Sequence, residues 1–301
     1  MLDRHTPAAQ LIADPPTLST APSVQAAAAV VLGEMLAQFT GQLTALRGSD
    51  DPEVVHQARV AWRRFKSDLR LFKPALKPES MPTLTPLQPL LQGLGALRDL
   101  DVALTETLPQ WRGTYVEGSP KTSAVQARRR RVWRQMCQAL QQSADDQRSV
   151  VRSELASPAV VATLLALTEW ANGLSGASPS VEPATVPLRH WARQRLADWR
   201  ARFKAAFKSS RHGANPEQQH RVRILAKRLR YGVEALDFLL PVRLSRRWHQ
   251  QAAALQTLLG GARDLLQAHA LATSVTADED ILRFLQHLAD QSAEQAADQS
   301  S

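Results

Sequence analysis

The sequence predicts an all-α protein, and three observations point there. Ala, Leu, Gln and Arg are abundant, and all four favour helix. Tyrosine occurs twice and β-branched runs are few, so no stretch alternates apolar and polar residues as a half-buried strand would. A histidine-plus-base segment is also written twice: HQARVAWRRFK at 56–66 returns 164 residues later as HRVRILAKRLR at 220–230.

Taken in order, residues 1–21 are Pro-, Thr- and Ala-rich and are expected to be loose. Helices are expected near 22–46, 51–73, 83–108, 121–154 and 158–172, forming a first bundle over about 22–173. The run NGLSGASPSVEPATVP collects Gly, Ser and Pro and reads as a linker at about 174–184. Helices near 185–208, 216–240, 243–271 and 279–293 then form a second bundle over about 185–292, before a loose tail at 293–301. Both histidine helices have the same start signal, with Asp51 and Asn215 as N-caps and Pro52 and Pro216 at the first helical position.

A chain of 301 residues with 44% hydrophobic content can bury a proper core without staples. The single cysteine, Cys137, excludes an internal disulfide framework and a cysteine-rich metal site, and fits a reducing compartment such as the cytoplasm. The opening MLDRHTPAAQ has no apolar h-region, and no run approaches 18 uncharged apolar residues, so neither a signal peptide nor a membrane partner is expected. The net charge of +9 predicts a polyanionic partner. Its distribution is uneven: residues 217–247 hold eight bases against three acids, or +5. A solubilising surface would mix the signs.

Counted from each histidine, His56 and His220, an arginine falls at plus three (Arg59, Arg223) and a base at plus seven (Arg63, Lys227). An arginine follows at plus eight (Arg64, Arg228) and a base at plus ten (Lys66, Arg230). At 100° per residue, offsets 0, 3, 7 and 10 share an arc of roughly 80°, a cationic stripe about 15 Å long. Ala58, Trp62, Phe65 and Leu69, matched by Val222, Ala226, Leu229 and Val233, occupy the adjacent face at the helical period. Each stripe is therefore expected at the lip of a packed bundle. A second signature follows each: LGALRDLD at 94–101 and LGGARDLL at 259–266 align Gly95 with Gly260, Arg98 with Arg263 and Asp99 with Asp264.

These motifs, V-H-x-x-R-V-x-x-R-R-x-(K/R) and L-G-x-x-R-D, resemble the conserved-histidine α-helical domain, the CHAD family, over about 22–292. The resemblance implies two pseudo-symmetric four-helix bundles arising from an internal duplication, and binding of inorganic polyphosphate. It places the binding residues at His56, Arg59, Arg63, Arg64, Lys66, Arg98, His220, Arg223, Lys227, Arg228, Arg230 and Arg263. It also extends the cytoplasmic expectation to polyphosphate granules. At plus fourteen the copies part: Arg70 in one, Glu234 in the other, which shortens the second stripe.

Physical chemistry makes the same partner sensible. Polyphosphate has no bases to stack or read, so its receptor needs convergent cations, and arginine supplies forked, charge-assisted hydrogen bonds. Cations from both bundles could line one continuous basic groove. The histidines lack the ligand spacings of a metal site, and no nucleophile or phosphate-gripping glycine loop accompanies them, so neither a metal, a cofactor nor a catalytic role is expected. Nucleic-acid binding is the rival reading, supported by charge but by no recognition motif; a phosphohydrolase ranks below it. Asp99 and Asp264 are read as orienting neighbouring arginines. Of Arg128 to Arg131 only one or two can face a groove, while Arg189, Arg193 and Arg200 suit either a groove or a solvated stripe. Trp62, Trp170, Trp191 and Trp199 read as core.

Overall fold

The computed structural model describes residues 23–76, 81–118, 122–174, 187–210, 216–241, 243, 246, 248 and 261–298. The side chains of His220 and Arg223 lie outside the described residues, as do Asn215, Gly260, most of the expected linker and the middle of the helix expected at 243–271. The described residues are overwhelmingly helical and contain no strand.

Helix α1 (Val24–Leu46) starts where the Ser23 hydroxyl accepts the Ala26 N–H, and α2 (Pro52–Phe72) starts where Asp51 accepts the Glu53 N–H. The region expected as one helix at 83–108 is instead broken. A 3-10 turn at Thr85–Leu87 leads into α3 (Gln88–Val102), which passes into a π turn at Ala103–Thr107 and a further 3-10 turn at Pro109–Trp111. Pro86, Pro89 and Pro109 lack the N–H that an uninterrupted helix would use. A short α4 (Arg112–Glu117), not anticipated, precedes the 33-residue α5 (Ser123–Leu155) and α6 (Pro158–Gly173). The second half contributes α7 (Leu188–Ser210), α8 (Pro216–Ala235), α9 (Gly261–Val275) and α10 (Glu279–Asp298). The tail expected to loosen after 292 continues as helix to Asp298, because QSAEQAAD is built of good helix formers.

Packing follows the apolar faces. α1 lies along α2, α3 along α5, α7 along α8 and α9 along α10. Helix α1 is long and apolar enough by length and composition to cross a membrane, yet here it lies against α2 and α6, with Leu32, Leu36 and Phe39 in the core. Phe39 and Phe65 flank Trp62 with ring centroids 5.0 and 5.4 Å away. Trp62 and Trp199 are buried and Trp170 and Trp191 pack on the same core, as the helical spacing predicted.

One hydrophobic core runs through both halves. Phe72 of α2 stacks on Trp191 of α7 at 5.3 Å, and Tyr115 of α4 meets Phe284 of α10 at 5.2 Å. Arginines rivet the seam. Arg195 donates to the carbonyls of Leu71 (3.0 Å) and Arg70 (2.9 Å), satisfying groups that the end of α2 would leave open. Arg129 forks onto both oxygens of Asp280 (2.9 and 3.0 Å) and donates to the Tyr115 carbonyl, while Arg128 pairs with Asp278 at 2.8 Å. Two members of the Arg128–Arg131 run thus join α5 to the start of α10, and Arg130 and Arg131 are exposed.

Gly232 marks the tightest approach of α7 and α8. A Cβ there would sit 3.0 Å from Leu196 Cδ2 and 3.1 Å from Trp199 Cζ3, neither of which has room to retreat from the core. Gly232→Ala should therefore cost about 1–3 kcal/mol of stability through overpacking. Urea unfolding would measure it, and a variant as stable as wild type would show that the two helices can part.

Candidate anion site at the seam

The repeated segments meet. Helix α2 packs against α8, and α3 packs against α9, so the two histidine helices are neighbours and so are the two helices carrying the L-G-x-x-R-D signature. Helix α9 also rests on α5 and on the π turn, which brings Arg263 from the second half to the first-half bases.

Five of the expected residues share one electrostatic neighbourhood. Arg59 is half-buried, and burial lowers its pKa. The positive charges of Arg63, Arg98 and Arg263 push the same way, against the opposing pull of Asp99. Asp99 thus lies near enough to Arg59 for its charge to oppose that shift. His56 is half-buried, and burial followed by the charge of Arg98 lowers its pKa; Arg63 adds to that effect, while Glu53 and Glu106 oppose it. Arg98 is itself held by Glu106 at 2.6 Å, an acid delivered by the π turn. Glu106 and Asp264 both line a recess of about 280 Å³ with Trp111 and Leu265, between that turn and α9. A smaller recess of about 80 Å³ opens between α2 and α3, with Arg59, Arg63 and Trp62 on one wall and Leu91 and Leu94 on the other.

Gly95 explains its place in the signature. A Cβ on it would lie 2.9 Å from the Arg59 Nη1, so a bare backbone is what lets the guanidinium settle against α3.

The remaining expected residues with described side chains fall into two groups. Lys66 is exposed, and Lys227 and Arg228 are half-buried on α8. Arg64 and Arg230 instead converge on Glu234: Arg64 Nη2 is 3.0 Å from Oε2 and Arg230 Nε is 3.3 Å from Oε1. The Tyr231 ring lies beside both guanidinium groups, 5.0 Å from Arg230 Cζ and 6.0 Å from Arg64 Cζ. Asp68, one turn from Arg64, is fully buried, and burial raises its pKa well above the usual carboxylate range. No motif had marked Asp68, Glu106 or Tyr231: Glu106 meets Arg98 only because the π turn brings it back toward α3, and the contact of Tyr231 with Arg64 joins residues distant in sequence. Arg189 and Arg193 are exposed, whereas Arg200 lies over Trp248 at 5.5 Å. Among the described residues no group of three or more His, Cys, Asp or Glu could hold a metal ion.

A match to the CHAD domain extends over residues 30–273. The chain belongs to the CHAD family. The crystal structure of the CHAD domain from the plant Ricinus communis is similar in fold, with a TM-score of 0.72 and 25% identity, over 92% of this chain and 89% of that one. PptA from Streptomyces chartreusis, 18% identical with a TM-score of 0.62, matches over 92% of this chain and 99% of its own, a likeness of fold. No curated protein matches the sequence.

The enclosure of His56 in this CHAD domain has a measurable sign. Its folded pKa lies below the ordinary 6.5, so the unfolded chain takes up the proton first. This contribution to stability is intact above about pH 6.5 and is lost as pH falls toward the folded value. An NMR titration of the His56 imidazole should give a midpoint below 6.5. A midpoint above it would place a dominant acid beside the ring.

Proposed function

We propose that this chain binds inorganic polyphosphate without altering it chemically, and that it does so in the cytoplasm, at polyphosphate granules. The observation carrying the proposal is the cluster of His56, Arg59, Arg63, Arg98 and Arg263, drawn from three helices of both halves, in which burial and then the neighbouring positive charges lower the pKa of Arg59. An incoming polyanion relieves that repulsion, so binding gains where the free protein loses. Imidazole and guanidinium groups grip phosphate oxygens through charge-assisted hydrogen bonds, each contributing about 1.5–3 kcal/mol.

Calorimetric titration tests this directly. Long-chain polyphosphate should bind far more tightly than orthophosphate, displace single-stranded RNA of equal charge, and weaken steeply as salt rises. RNA or duplex DNA outcompeting polyphosphate would assign the site to nucleic acid, and slow release of orthophosphate would assign it to hydrolysis. Replacing Arg63 and Lys227 together by Glu should abolish measurable binding with helicity near wild type; loss of helicity would make these residues structural instead.

Gly95→Ala separates the role of the guanidinium from that of the fold. The methyl displaces the flexible end of Arg59, not backbone, so the thermal midpoint should stay within a few degrees. Polyphosphate affinity should fall about tenfold, the equivalent of one misplaced charged hydrogen bond. Unchanged affinity would remove Arg59 from the site.

A further inference from the structure

The two histidine helices cross so that plus eight on each lies by plus fourteen on the other. Arg64, plus eight from His56, bonds Glu234, plus fourteen from His220. Arg228, plus eight from His220, stands close enough to Arg70, plus fourteen from His56, to feel its charge. These are two versions of the same junction between the halves, and they are filled differently.

At the first, Glu234 spreads its two oxygens between guanidinium groups of opposite halves, Arg64 and Arg230, with Tyr231 packed beside them. A carboxylate there does what a phosphate would do: it accepts from Arg64, pairs with Arg230 and offsets their repulsion. A ligand seeking the same arginines must displace it and then lie beside its charge.

At the second junction the chain supplies no such acid from the equivalent position. Arg228 is partly buried, and burial followed by the charge of Arg70 lowers its pKa. Its Nε is shielded from solvent and has no hydrogen-bond partner among the described residues. Arg70 is exposed, so the junction opens to the surface. Its backbone is held in place, because Arg195 donates to the Arg70 and Leu71 carbonyls. The junction thus gathers like charges where the equivalent position supplies no acid, an arrangement that favours an anion between two forks.

We propose that the Arg70–Arg228 junction is where the polyanion crosses from one half of the domain to the other, and that Glu234 closes the matching junction by supplying the chain's own anion. The inference rests on the polyphosphate reading above and makes the site one-sided. Arg70 is a binding residue, and Glu234 is a specificity-determining residue that limits the length of chain the site can grip.

Long-chain inorganic polyphosphate titrated over a salt series into purified full-length variants tests it. Arg70→Glu copies the closed junction onto the open one. We expect binding about tenfold weaker, a salt slope lower by about two because Arg228 is neutralised too, and a thermal midpoint at or above that of wild type. Arg70→Gln should lower the slope by about one without introducing an acid, which keeps the test decisive if the Glu variant folds poorly. Glu234→Gln should instead tighten binding and steepen the slope. Wild-type affinity and slope in both Arg70 variants, with binding still lost in Arg63→Glu, would overturn the junction proposal and leave the polyphosphate reading standing. Wild-type binding in Arg63→Glu as well would bring down both.

Discussion

Arginines have to be held near one another at the seam, and the surrounding architecture answers to what that costs. Two unit charges 4 Å apart repel by about 4 kcal/mol at an effective dielectric constant near 20. Burial adds a desolvation penalty, already visible in the lowered pKa values of Arg59 and Arg228. The structure offsets the crowding locally with Asp99 toward Arg59, Glu106 on Arg98, and Glu234 between Arg64 and Arg230. It offsets it globally with a continuous apolar core whose aromatic contacts, Phe72 on Trp191 and Tyr115 on Phe284, cross the same seam.

Two populations of arginine coexist in this chain and look alike in composition. Arg129, Arg148, Arg152 and Arg195 are fasteners. Arg148 is buried beside Asp101 at 3.4 Å, Arg152 binds the Leu46 and Ser49 carbonyls, and Arg129 and Arg195 join the halves. Arg59, Arg63 and Arg263 face other cations. The formal charge of +9 sums over both and so says little about where an anion would settle. What separates them is whether the guanidinium meets a carboxylate, a carbonyl or another guanidinium.

The helices were largely legible because their signals are local. Asp51 caps α2 as its sequence position indicates, and the apolar registry of Ala58, Trp62 and Phe65 is the buried face of that helix. Departures occurred where a competing local rule or a distant partner intervened: prolines divide the 83–108 segment, and helix formers carry α10 past residue 292. Spacing put His56, Arg59 and Arg63 on one stripe, and the paired signature with the family resemblance pointed to Arg98 and Arg263, which the structure places in the same electrostatic neighbourhood. The i,i+4 spacing of Arg230 and Glu234 on α8 was readable in the sequence, but not that Arg64 would join them. That outcome depends on how α2 and α8 cross, which no window of either helix encodes. Asp68 was not marked by any motif either, although it is buried and feels the charge of Glu234 from the opposing half.

Helix α5 holds the last lesson. Near its C-terminal end Arg152 grips the turn between α1 and α2, and near its N-terminal end Arg129 grips the start of α10, so one 33-residue rod is anchored at both limits of the molecule. The motif repeats at half the length of the chain, but the core and this rod do not. Written twice, the motif repeats at a length shorter than the apolar core that spans both halves. A fragment ending after α6 would keep every first-half motif and still expose the faces of Phe72 and Tyr115 that the second half covers.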